Sequence, residues 1–97
     1  MAICVYNTFY LRVIPLAKVI IMQTKYAQAY IRFGLKVQYY RKLRGMTQEA
    51  FAEKAGISWS HLAKIESPTR VFGVSMETLF AIAEALEISP ARLFEEP

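Results

Sequence analysis

Between Thr24 and Phe94 the apolar residues return at steps of three and four, the spacing of one buried face on each of several short helices. Tyr26, Tyr30, Phe33, Val37, Tyr40 and then Leu43 or Arg44 make the first run, with Thr24 placed to cap it. Gly34 falls inside this run, which is therefore one long helix or two pieces. Gly45 ends it, and Met46 turns back to the core. Thr47 caps a second helix, on which Phe51, Ala52 and Ala55 share a face. Gly56 supplies the positive φ that stops that helix. Ile57 drops inward, Ser58 offers another cap, and a third helix runs through Leu62 and Ile65. Ser75 caps a fourth, with Glu77 complementing the dipole of its first turn and Leu79, Ile82, Ala83 and Leu86 as its stripe. Ser89-Pro90 opens a last short helical turn, and Leu93 and Phe94 are expected to close the core.

Residues 1–22 follow a different pattern. They are apolar and β-branched, interrupted by Arg12, Pro15 and Lys18. A membrane span needs about 20 apolar residues with few charges, so two cations and a proline argue against one. No positive charge precedes an apolar core with a small-residue cleavage site, as a signal peptide requires. Val19 to Met22, and less clearly Val5 to Val13, read as short strands. A lone strand is marginal in water and needs a partner. The preferred reading is a dimerisation arm. A protein-binding segment and a flexible extension are the alternatives, the latter including a biological start at Met22.

Helix, glycine turn, helix, with the small Ala52 where the two must approach, is the helix-turn-helix pattern. An ordinary helical hairpin is the plainer alternative. The run from Arg41 through Leu43, Arg44, Gly45, Met46, Thr47 and Gln48 to Ala52, followed by Gly56-Ile57-Ser58 and Ile65-Glu66, resembles the phage-repressor (Cro/XRE-type) DNA-binding family. The likeness extends from about Phe33 to Phe94. It implies an all-α, lambda-repressor-like compact bundle of about five short helices, here preceded by the apolar arm. The division expected is an arm over 1–23 and a helix-turn-helix domain over 24–97. Family members usually bind palindromic operators as dimers, so the resemblance implies double-stranded DNA and a second copy of the chain as partners.

The resemblance also assigns residues. It pairs Arg41 with Glu66, tying the first helix to the end of the recognition helix, a task suited to a planar, bidentate guanidinium. It puts Ser58, Trp59, Ser60 and Lys64 on the face that reads bases, with His61 nearby as a surface or half-buried residue. Trp59 would pack on a thymine methyl or a sugar, or else lie against a neighbouring chain or loop. Gln48 resembles the glutamine that reaches the DNA backbone beside a helix N-terminus. Arg44 and Arg70 are candidates for further phosphate contacts, and Lys36 and Lys42 weaker ones. One departure is visible: Ser67-Pro68 stands where the family commonly has Arg-Gly or Asn-Gly, and the loop to Ser75 is a residue or two longer. That departure bears on the loop's backbone path and its phosphate contacts, and not on the fold.

Charge supports this picture. The net charge of +4 in 97 residues is uneven. Residues 31–74 hold eight Lys and Arg against Glu49, Glu53 and Glu66, whereas Glu77, Glu84, Glu87, Glu95 and Glu96 face only Arg92 beyond Ser75. A basic middle with an acidic tail suits a domain that turns one face to a polyanion. Apolar residues are 55% of the chain, high for one so short, which points to burial against a second copy.

Cys4 and His61 are the only residues of their kinds and aspartate is absent, so zinc sites and Ser/His/Asp triads are out of reach. No phosphate-cradling glycine loop is present either, and neither an enzyme, a metal nor a cofactor is expected. A single cysteine fits a reducing, cytoplasmic setting. The function expected is a sequence-specific DNA-binding transcriptional regulator acting as a homodimer. The alternative, motivated by the arm at residues 1–22, is a protein-interaction module such as a toxin-neutralising antitoxin or an adaptor.

Overall fold

The computed structural model describes residues 24–95; the arm expected over residues 1–22, and the boundary drawn at 23, lie outside them. Four α-helices follow in order: α1 (Ala27–Leu43), α2 (Gln48–Ala55), α3 (Trp59–Glu66) and α4 (Met76–Leu86). A 3₁₀ turn, Pro90–Phe94, takes the place expected for a fifth helix. Every described residue outside these elements is turn or loop, and none is in a strand. No helix among the described residues is long and apolar enough to cross a membrane.

The caps explain the boundaries. Thr47, Ser58 and Ser75 each accept a bond from the backbone N–H three residues on, satisfying one of the first-turn donors. Helix α1 has no such cap: its N-cap is Tyr26, and the hydroxyl of Thr24 accepts from the Tyr26 N–H instead. At the other ends α1, α2 and α4 stop in the same way. Gly45, Gly56 and Glu87 adopt left-handed φ, and the next residue's N–H reaches back to Arg41, Ala52 and Ala83 respectively.

Phe51, Leu62, Ile82, Leu86, Leu93 and Val37 are fully buried and form one core. Helix α1 packs on α3 and on the 3₁₀ turn, and α2 packs between α3 and α4. Gly34 does not break α1, which is one continuous helix. It marks instead the crossing with α3, where a Cβ would overlap the carbonyl oxygen of Ile65.

Two details of the first helix and the last turn differ from the sequence expectation. Of the stripe expected on α1, Phe33 and Val37 are buried and Tyr40 packs against the core, while Tyr26, Tyr30 and Leu43 are exposed. The buried side also takes in Ala27, Ile31, Gly34 and Arg41, the last two where α1 meets α3. Leu93 enters the core, but Phe94 is 59% exposed and stacks on Phe33 with ring centroids 5.5 Å apart. Neighbouring side chains in a 3₁₀ turn point a third of a revolution apart, so both cannot face inward.

Candidate nucleic-acid interface

The interface is built on a buried polar cluster. Arg41, at the end of α1, is 7% exposed and Glu66, at the end of α3, is 2% exposed. Arg41 Nε donates to Glu66 Oε2 at 2.8 Å and Nη2 donates to Oε1 at 3.1 Å, the forked geometry that suits a carboxylate. Arg41 Nη1 donates to the Met46 carbonyl at 2.7 Å, fixing the turn between α1 and α2. Gln48 Nε2, at the start of α2, donates to Glu66 Oε1 at 3.0 Å. Three helices thus meet at one carboxylate, and Arg41 ties the α1–α2 turn to the same cluster. Among the described residues no buried side-chain polar atom lacks a partner, so the cluster satisfies the desolvated charges it contains.

With that end fixed, α3 divides cleanly into two sides. Leu62, Ile65 and Glu66 face inward, and Trp59, Ser60, Ala63 and Lys64 face solvent together with the cap Ser58. Ser58 Oγ accepts from the His61 N–H at 3.1 Å and lies 3.3 Å from Ser60 Oγ. Trp59, 55% exposed, donates its indole N–H to Gln48 Oε1 at 3.2 Å. Gln48 therefore bridges the cluster to the outer end of α3.

The loop after α3 is held to the helix by Phe72. The His61 ring meets it edge-on at 5.3 Å, and Lys64 Nζ lies 5.8 Å from its centroid, a cation–π distance. Beside this contact is a shallow depression of about 250 Å³ lined by Ala63, Lys64, Ser67, Thr69 and Arg70. Ser67 Oγ accepts from the Thr69 N–H at 3.3 Å, which turns the loop, and lies 3.4 Å from Thr69 Oγ1.

The candidate residues are therefore not all in one place. Ser58, Trp59, Ser60, Lys64, Gln48 and Arg70 belong to α3 or to the segments touching it. Arg44 is engaged elsewhere: Nε donates to the Leu86 carbonyl at 2.9 Å and Nη2 to that of Glu87 at 3.3 Å, neutralising the end of α4. Lys36 lines a separate depression on α1 with Arg32, Leu35, Tyr39 and Tyr40. Sequence reasoning missed Phe72 and the Gln48–Trp59 bond. The apolar run Val71-Phe72-Gly73-Val74 between helices was the signal for the first; nothing in the spacing of residues 48 and 59 announced the second.

The chain matches the helix-turn-helix family over residues 37–93. It is 39% identical over 61 residues to a Bacillus subtilis (strain 168) protein named "Uncharacterized HTH-type transcriptional regulator YazB", covering 63% of this chain and 86% of that one. Among solved structures, the restriction-modification controller protein C.AhdI from Aeromonas hydrophila is similar, with a TM-score of 0.62 and 31% identity. That likeness covers 67% of this chain and 96% of the controller protein. With the clasped carboxylate, the glycine turn and the exposed α3 in place, these matches show that the chain belongs to the Cro/XRE-type helix-turn-helix family.

Proposed function

We propose that the protein is a sequence-specific DNA-binding transcriptional regulator that lays α3 in the major groove. The observation that carries this reading is the outward polar side of α3, held rigid by a buried ion pair at one end and a serine cap at the other. Ser58, Trp59, Ser60 and Lys64 then meet base edges, the lysine suited to guanine O6 and N7. Gln48 keeps one amide hydrogen for a phosphate beside the N-terminus of α2. Arg70, with Ser67 and Thr69, lines a depression of the right chemistry for a second phosphate. Arg44 is assigned to the fold, since its guanidinium already serves two carbonyls.

The same reading has two copies bind a palindromic operator, with half-sites about 34 Å apart on one face of the duplex. Support for a second copy comes from an apolar groove of about 320 Å³ lined by Tyr26, Tyr30, Phe33, Met76, Leu79 and Phe94. Exposed aromatic and methionine side chains gathered in this way mark a contact surface. Residues 1–22, read as an apolar dimerisation arm from their sequence, are proposed to add to the contact.

Retention of genomic fragments by the purified full-length chain at two salt concentrations tests the reading. A regulator retains some fragments selectively and loses affinity steeply with salt. Indifferent retention, or none, contradicts it. Size-exclusion of the same sample tests the second copy: a dimer supports it, and a monomer turns the groove toward a different protein, as in an antitoxin or adaptor.

A further inference from the structure

We propose that Trp59 makes this interface a reader of the pyrimidine C5-methyl group, separating thymine from bases that lack it. The inference rests on the duplex reading of α3 given above. Indole has one polar atom, Nε1, and here that N–H is engaged by Gln48 Oε1. The polarity of the Gln48 amide is in turn set from the buried end. Its nitrogen donates to a Glu66 carboxylate that Arg41 holds by two bonds. Flipping the amide would set its oxygen against that carboxylate and its NH₂ against the indole N–H. Trp59 thus donates to Gln48 and Gln48 to Glu66, a carboxylate that also accepts from Arg41, so the ring's only polar atom is tied inward to the buried cluster.

What Trp59 offers a duplex is therefore carbon. It is the first residue of α3, at the end of a recognition helix that meets base edges, and more than half of it is open to solvent. Of the four bases only thymine shows an apolar group in the major groove, its C5-methyl. An adenine, guanine or cytosine edge pressed against the ring would lose water from polar atoms and gain no partner. The same geometry accepts 5-methylcytosine, whose methyl occupies the same position, so methylation of a cytosine placed there alters binding. Gln48 and Glu66 act as positioning residues for the ring.

The test uses the full-length chain to select duplexes from a random library. The recovered sequence is resynthesised with deoxyuridine in place of each thymine in turn. At one thymine per half-site, loss of the methyl weakens binding about fourfold, the equivalent of burying one methyl-sized group at ~0.8 kcal/mol. Trp59→Ala brings that ratio to about one while the duplex is still bound, and Trp59→Phe, which keeps a carbon ring, retains part of it. Gln48→Met leaves the N–H without its acceptor and lowers the thymine-to-deoxyuridine ratio, which a purely structural role would leave unchanged. Helical circular dichroism of each variant verifies that it folds. Putting cytosine at that thymine and then methylating its C5 recovers the same factor. An enriched sequence on which the native chain tolerates deoxyuridine everywhere overturns the methyl reading alone, as does equal sensitivity in Trp59→Ala. A library with no enriched sequence overturns the duplex reading and this inference with it.

Discussion

Gly34 of α1 lies so close to the Ile65 carbonyl of α3 that a side chain of any size at position 34 would overlap it. The crossing sets how far α3 stands out from the bundle, because Ile65 and Glu66 are both buried at it. Gly34→Ala should therefore push the helices apart. Overpacking of this kind costs about 1–3 kcal/mol, even though alanine favours a helix over glycine. Urea denaturation should show a lower midpoint; a midpoint equal to or above the native one would place the crossing elsewhere.

Breaking the Arg41–Glu66 pair is expected to cost more. Arg41→Ala or Glu66→Ala leaves a buried charge without its partner, a loss of about 3–5 kcal/mol. That is a large share of the roughly 5–15 kcal/mol available to a domain. The exposed Lys54–Glu87 pair at 3.4 Å is the natural control, and Lys54→Ala should change stability by under about 1 kcal/mol. Thermal or urea unfolding of the three variants side by side checks the order.

Two of the three left-handed helix ends, Gly56 and Glu87, predict different outcomes. Gly56→Ala forces a side chain into φ 77° and should destabilise by about 1–2 kcal/mol. Glu87 already carries that strain at φ 59° at the end of α4. Glu87→Gly should raise the midpoint or leave it unchanged once the weak Lys54 pair is lost. Equal losses in both variants would contradict the account of these ends.

How much of this was legible beforehand depended on what kind of residue made each contact. The α2–α3 segment announced itself because its boundaries are chemical: Thr47, Gly56 and Ser58 can do their jobs only at helix ends. The register of α1 was legible in part: Phe33 and Val37 are buried as their spacing indicates, but Gly34 and Arg41, which touch α3, are not residues that apolar periodicity picks out. Phe94 reads as core by composition and is turned outward by the geometry of a 3₁₀ turn. The Trp59–Gln48 bond joins exposed polar atoms on two helices, and such pairs have no sequence period to betray them.

On DNA, base-facing and backbone-facing residues should separate. Ser60→Ala or Lys64→Ala is expected to relax base preference, each lost polar base contact being worth about 1–3 kcal/mol of discrimination. Arg70→Ala should weaken all duplexes about equally and reduce the salt slope by about one. Gln48, which touches both Glu66 and Trp59, should show both effects. A footprinting series in which Lys64 and Arg70 variants behave alike would count against this division.

The central claim is that the outward side of α3 enters the major groove. Dimethyl sulfate tests it in one experiment, because it methylates guanine N7 in the major groove and adenine N3 in the minor groove. On a duplex selected by the full-length protein, guanine N7 atoms in each half-site should be protected, and lose that protection in Lys64→Ala, while adenine N3 atoms there stay reactive. Protection of adenine N3 with guanine N7 left open would contradict the account.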